Sequence, residues 1–306
     1  MALNLHLLRV FFAVAEQQSF SRAAESLFIS QPAVSRAVRE LEHQVDLALI
    51  ERGGGGAKGR RGIRLTESGQ ALFEHARAIF AMERAASEDI RARVGLKRGT
   101  LAVGASTTIA GYWLPAYIAG FVRDYPAIRP QVVVGNTRTV TEALIDCRID
   151  LGLVEGPVDD DRISSVRWRE ESLLLVASAQ APLARRRKLD AKALSAQAWL
   201  MREPGSGTRE VARRLLQSHG IEPVQTIEIG SNEGIARAVA NAAGIAVLPS
   251  IVVQDLIELG RIKPLQGMKA TPLNRPLYRL KLKGRPLSPS ASTFSAMLDT
   301  PPEAGA

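Results

Sequence analysis

Gln31, Ser35, Arg36 and Arg39 lie at i, i+4, i+5 and i+8, so one helix gathers an amide, a hydroxyl and two guanidinium groups on a single face. Those groups hydrogen-bond to base edges and phosphates. A second set follows in RGGGGAKGRRGIRLT, where Arg52, Lys58, Arg60, Arg61 and Arg64 occur without an acid among them. Five such cations suit a polyphosphate backbone, and the glycines let a hairpin approach it closely. The same stretch fails as a phosphate loop of a nucleotide hydrolase, because Lys58 is followed by Gly59 and not by Ser or Thr. A third set consists of polar turns: Ser106-Thr107-Thr108, Asn136-Thr137-Arg138, Glu203-Pro204-Gly205-Ser206-Gly207-Thr208 and Ser231-Asn232-Glu233. Each follows an apolar β run and precedes a helical stretch, where unpaired amides and hydroxyls receive anions.

The first set needs a helix-turn-helix. In FSRAAESLFISQPAVSRAVRELE, Ala23, Ala24 and Leu27 form one apolar face, and Val34, Val38 and Leu41 recur at i, i+4 and i+7 on the next helix. Ser30 stands at an N-cap and Pro32 in the first turn, so the second helix begins near Ser30. With the basic hairpin beside it, the expected module is a winged helix-turn-helix. The preceding stretch MALNLHLLRVFFAVAEQ carries Leu7, Phe11 and Val14 at helical spacing without a small-residue cleavage site, and reads as a core helix. Export is therefore not expected.

After Thr66 a long helical stretch runs to about Gly95, with Leu72, Ala76, Ile79, Met82, Ala86, Ile90 and Val94 stepping by three or four residues. A lone apolar seam on a helix with no domain of its own predicts pairing with a second copy. From Thr100 onward, short β runs alternate with helices in two series. The closing RPLYRLKLKG strand and the Ala291 to Leu298 helix look like a return to the first sheet. Two α/β lobes with a largely parallel sheet and a cleft between them are expected.

Composition narrows the function. The chain has 306 residues, 46% of them hydrophobic, enough for more than one domain. A formal charge of +9 favours an anionic partner but is spread along the chain, so the local basic cluster carries the nucleic-acid reading. The single cysteine, Cys147, excludes an internal disulfide and sits in the apolar pattern of a helix, as a packed thiol. His6, His43, His75 and His219 lack metal spacing, and no cofactor or metal is expected. No apolar run is long enough to cross a bilayer. The run Arg185-Arg186-Arg187-Lys188 reads as a solvated loop. The competing class is a two-lobed metabolite-binding or enzymatic protein without a specific DNA role. Glu155, Glu203 and Glu233 are candidate carboxylates for it, but no nucleophile elbow or histidine motif accompanies them. A transport-type solute-binding protein would explain the lobes and leave the first 98 residues unexplained.

In this order, the modules resemble a LysR-type transcriptional regulator. AVAEQQSFSRAAESLFISQPAVSRAVRELE followed by RLTESG carries the likeness in the first part, and GASTTIAGYWLPAYIAGFVRDYP, EPGSGTR and AVANAAGIAVLP carry it in the rest. The resemblance implies α/β architecture: an N-terminal winged helix-turn-helix over 1–66, a linker helix and hinge over 67–98, and a two-lobed periplasmic-binding-protein-like effector domain over 99–306. Its lobes would be about 99–170 plus 270–300, and 171–269. It further implies a cytoplasmic, non-enzymatic dimer that pairs into tetramers, binds double-stranded DNA at an interrupted inverted repeat, contacts RNA polymerase and answers to a polar or anionic metabolite. Gln31, Pro32, Ser35 and Arg36 match base-reading positions; Ser19, Ser21, Ser30, Arg39, Arg52, Lys58, Arg60, Arg61 and Arg64 complete the expected DNA contacts. Ser106, Thr108 and Thr208 match effector positions, with Thr107, Asn136, Thr137, Glu203, Gly205, Ser206, Gly207 and Asn232 beside them. One departure is the Gly-rich stretch Gly53 to Gly59, longer than the family's usual wing turn.

Overall fold

The computed structural model describes residues 3–51, 63–93, 99–156, 158–186, 188–266 and 273–300. They fall into two compact units, Met1–Ser87 and Glu88–Ala306.

The first unit starts with α1 (Leu5–Gln17), whose first amides bond the side chain of Asn4. Ser19 caps α2 (Phe20–Leu27) and Ser30 caps α3 (Gln31–Val45), accepting from the amides of Arg22 and Ala33. Both turns close through left-handed residues, Phe28 and Asp46. Leu8, Phe11 and Val14 from α1, Ala23 and Ala24 from α2, and Val34, Val38 and Leu41 from α3 form one buried core. Buried Glu42 then turns the chain: its Oε1 accepts from the amides of Leu49 at 2.9 Å and Ile50 at 3.2 Å. The base of the wing is an antiparallel bridge between Ile50 and Leu65, with the Glu51 amide donating to the Arg64 carbonyl. The expected phosphate contacts Arg52, Lys58, Arg60 and Arg61 lie outside the described residues.

Thr66 caps α4 (Glu67–Arg93), and Gly69 brings the first turn of that helix against the Leu49 carbonyl, so closely that a Cβ would stand 1.9 Å from its oxygen. The helix departs from the expected lone seam. Its N-terminal half has a domain to pack on: Ala76 and Phe80 are buried and Leu72 and Phe73 half-buried against the helix-turn-helix core, with the Phe12 ring 5.3 Å from Phe73 and 5.5 Å from Phe80. Phe73, Ala76 and Phe80 make a second stripe at i, i+3 and i+7, and Leu72 belongs with it. Ile79, Met82 and Ile90 stay exposed, the last at 61%.

The second unit opens with β1 (Gly99–Ser106), a π-helical turn over Ile109–Trp113, α5 (Leu114–Asp124), β2 (Ile128–Gly135), α6 (Thr137–Ile145), β3 (Leu151–Glu155) and the long β4 (Ile163–Ser178). It continues with α7 (Ala191–Ser195), β5 (Ala198–Met201), α8 (Gly207–Ser218), β6 (Gln225–Glu228), α9 (Asn232–Ala240), β7 (Ala246–Pro249), α10 (Ser250–Glu258) and β8 (Ile262–Pro264), and returns through β9 (Leu273–Leu282) and α11 (Pro289–Met297). The main sheet runs β2-β1-β3-β9-β4-β7 with β8 on β4, and β5 pairs with β6. Here the expectation of a largely parallel sheet needs correction. β1 lies parallel to β2 and β3, and β5 to β6, but β9 and β4 are antiparallel to their neighbours. The returning chain enters the first lobe from the far side and so runs against β3 and β4.

Each lobe has its own apolar core. Leu101, Val103, Phe121, Leu277 and Phe294 meet in the first, which places the last strand and helix with β1 as expected. Trp199, Val211, Leu215 and Ile245 fill the second. β4 and β9 run through both lobes and pair from Ile163–Leu282 to Leu173–Leu273. Cys147 is buried, but two residues beyond the end of α6 and in a left-handed conformation, not within the helix.

Candidate functional site

In the first unit the capping of α3 by Ser30 orients its N-terminus outward. Ser30, Gln31, Pro32, Arg36 and Arg39 are exposed and Ser35 half-buried, on the face opposite Val34, Val38 and Leu41. The Arg39 Nε donates to the Ser35 carbonyl at 3.2 Å, which ties the guanidinium to its own helix. Ser21 is exposed in the first turn of α2, and Arg64 is exposed at the wing base. Exposed amide and guanidinium groups at a helix start, held by a buried opposite face, can enter a groove and bond to base edges.

In the second unit the expected effector residues converge where the lobes meet, and most of them bond to protein. The Asn232 Nδ2 donates to the Thr108 Oγ1 at 2.8 Å and to the Thr208 Oγ1 at 3.2 Å; all three residues are buried. Asn232 Oδ1 is buried with no hydrogen-bond partner among the described residues. Arg202 at the end of β5 holds Glu203 through two bonds of 2.8 Å and donates to the Thr107 Oγ1 at 3.0 Å. The Asn136 Nδ2 reaches Glu203 at 3.1 Å from the other lobe, while its Oδ1 caps α6 by accepting from the Thr139 amide. Burial pushes Glu203 up, but the bonds from Arg202 and Asn136 outweigh it and hold the carboxyl below its ordinary range. The Ser106 hydroxyl accepts from the Ile109 amide and turns inward.

The centre of this junction is Arg275, a residue not among those expected. It stands on β9 directly opposite Glu171 on β4. Its Nε and Nη2 donate to the Glu171 Oε2 at 2.8 and 2.5 Å, its Nη1 to the Thr208 Oγ1 at 2.9 Å and its Nη2 to the Glu155 Oε1 at 3.3 Å. Arg275 is 1% exposed, Glu171 3% and Glu155 4%. Burial raises the Glu171 carboxyl above its ordinary range in spite of the guanidinium and of the Trp113 indole, which donates to it at 3.3 Å. Beside this group Arg169, at a β-bulge in β4, lies over the rings of Trp113, Tyr117 and Trp168 and donates to the Tyr117 hydroxyl. Glu171 follows other charges in VRWREES and Arg275 lies in the polar strand LNRPLYRLKL, so neither residue stood out in sequence. Their pairing across a sequence separation of 104 was not readable.

Next to the junction lies a cavity of about 540 Å³, lined on one side by Gly205, Ser206, Gly207, Val211 and Arg214 and on the other by Thr137, Glu155, Pro276 and Tyr278. Four expected effector residues, Thr137, Gly205, Ser206 and Gly207, line it. Thr107, Thr108, Asn136, Glu203, Thr208 and Asn232 instead bridge the lobes behind it, and Ser106 faces its own helix start. Gly205 has φ +88°, a left-handed conformation that favours glycine. A Cβ on Gly207 would stand 2.6 Å from the Glu155 carbonyl oxygen, so only glycine lets the start of α8 approach β3 this closely. Ser206 is the N-cap of α8 but makes no capping bond, which leaves its hydroxyl and the first-turn amides to the cavity. Among the described residues no group of three or more His, Cys, Asp and Glu side chains could hold a metal ion, and no helix is long and apolar enough to cross a membrane.

Residues 5–70 match the family profile described as bacterial regulatory helix-turn-helix protein, lysR family, and residues 95–300 match the LysR substrate binding domain. Over 297 residues the chain is 35% identical to the HTH-type transcriptional regulator CfxR of Cupriavidus necator, covering 97% of this chain and 91% of that protein. Full-length OxyR from Pseudomonas aeruginosa has a similar fold, with a TM-score of 0.73 at 23% identity over 98% of this chain and 94% of that one. The regulatory domain of CcmR from Synechocystis PCC6803, solved in complex with 2-PG, is similar with a TM-score of 0.61 at 27% identity, over 68% of this chain and 99% of that domain. With both modules present in this order, the chain belongs to the LysR family of transcriptional regulators.

Proposed function

We propose that this regulator reads its operator with Gln31, Pro32, Ser35 and Arg36 and tunes that binding through a small polar or anionic metabolite in the interlobe cavity. The observation that carries the effector half is the start of α8: an N-cap serine without a capping bond and two glycines open a helix terminus onto a cavity. That CcmR was solved with 2-PG in its regulatory domain supports a small-molecule effector here. Ser19, Ser21, Ser30, Arg39 and Arg64 serve the phosphates in this reading, together with Arg52, Lys58, Arg60 and Arg61 of the wing. The division into 1–66, 67–98 and 99–306 assigns reading, pairing and sensing to successive segments. Self-association as a dimer and dimer of dimers, contact with RNA polymerase and a cytoplasmic location complete the proposal. The enzymatic alternative is disfavoured because Glu155 and Glu203 are each engaged by a guanidinium group.

The test begins with DNA selected from a random pool by the purified protein, followed by footprinting of that site against candidate metabolites. Gln31 bonds adenine bidentately, and such a pair discriminates by about 1–3 kcal/mol, whereas a phosphate contact does not discriminate. Gln31→Ala is expected to relax the selected motif at one position. Arg64→Ala should weaken all sequences alike and flatten the salt dependence. An unchanged motif with Gln31→Ala refutes the base-reading assignment, and a footprint indifferent to every metabolite refutes the effector half.

A further inference from the structure

The cavity wall sets donors against an acceptor. On the α8 side, the amides of the first turn and the Ser206 hydroxyl offer hydrogens to a ligand. Ser206 is itself buried. Facing them, Glu155 at the end of β3 is nine-tenths buried or more and can only accept. Its Oε1 takes the longest of Arg275's bonds, at 3.3 Å, and its Oε2 has no hydrogen-bond partner among the described residues. Arg275 spends its other bonds on Glu171 and Thr208. The remaining charged groups on the wall, Glu210 and Arg214, are exposed on α8 and opposite in sign. The α8 start packs on the Glu155 backbone, where a Cβ on Gly207 would stand 2.6 Å from the carbonyl oxygen, and Ser206, Gly207 and Glu155 line the same cavity. A ligand seated on the first turn of α8 therefore shares that cavity with Glu155.

We propose that the effector is a small oxyanion that carries its own hydrogen-bond donor, an acid O–H or an ammonium group, with the oxyanion on the α8 start and the donor on Glu155. The inference rests on the cavity being the effector site and narrows the chemistry that fits it. An oxyanion with no proton sets lone pairs against lone pairs at Glu155, and in a buried site that contact is strongly unfavourable. A protonated phosphate or an amino acid turns the same contact into a charge-assisted hydrogen bond.

Calorimetric titration of the full chain at neutral pH with matched probes tests this: phosphate against sulfate, and alanine against propionate. The donor-bearing member of at least one pair should bind roughly tenfold tighter or more than its partner. The phosphate pair reports an acid O–H and the alanine pair an ammonium group. Glu155→Gln, whose amide can donate, should bring that ratio towards one by strengthening sulfate or propionate. If that variant does not fold, the wild-type ratios decide alone. Equal affinities within both pairs, abolished together by Ser206→Val, overturn the inference and leave the cavity as the site. Binding of none of the probes overturns the cavity reading and the inference with it.

Discussion

Arg275→Met is expected to destabilise the regulatory domain by about 3–5 kcal/mol, the usual cost of leaving buried charge without its partner. Glu171 and Glu155 share this guanidinium at a position that is 1% exposed, and methionine offers volume but no donor. Urea unfolding followed by tryptophan fluorescence measures the loss, and an additional Glu171→Gln should recover part of it. The deficit should depend on pH in a definite direction. Burial already holds Glu171 above its ordinary range in the folded state, and the Arg275 charge opposes that rise. Removing the charge raises the folded-state value further, so the variant takes up a proton more readily than its unfolded chain. Its folded state is then favoured at low pH and loses that support as the pH climbs through the raised value. The gap between wild type and variant should shrink on acidification through the carboxylate range. A deficit under 1 kcal/mol at neutral pH would mean that water screens the cluster.

Ile79→Asp should abolish dimers and weaken operator binding by about a hundred- to ten-thousandfold, the range lost when two linked half-site contacts become independent. The substitution is informative because Ile79 is 36% exposed and absent from the helix-turn-helix core, so the monomer has no reason to unfold. Met82, Ala86 and Ile90 continue the same exposed line along α4. Leu72, first grouped with them by spacing, packs inward instead, and Leu72→Asp should unfold the DNA-binding unit rather than dissociate it. Sedimentation of Ile79→Asp against wild type checks the claim. A dimer that survives it would place the pairing surface elsewhere.

Much of the DNA-binding unit could be read from its residues because its information is local. Ser30 marks a helix start by accepting a bond from three residues on and Pro32 by a fixed φ that suits the first turn, and Val34, Val38 and Leu41 declare a buried face by spacing alone. Two features there needed the fold. Glu42 looks like a surface acid in RELEH, yet it is buried because the Leu49 and Ile50 amides require an acceptor. Likewise, α4 carries two apolar stripes that a periodicity count merges into one. Only the position of Phe12 shows which stripe the domain keeps for itself.

In the regulatory domain the residues announced strand-to-helix turns with polar tips, because capping and apolar runs are written in contiguous sequence. Which tips line the cavity and which bond to each other is decided by how the lobes meet. Thr108, Thr208 and Asn232 come from three places in the chain and bond to one another through the Asn232 amide nitrogen, while the Ser206 hydroxyl makes no capping bond to its own helix. The ion cluster of Arg275, Glu171 and Glu155 was beyond any reading of spacing. Charges in strands look alike in sequence whether solvated or buried, and only the antiparallel register of β4 and β9 sets Arg275 opposite Glu171, where burial makes the pairing obligatory.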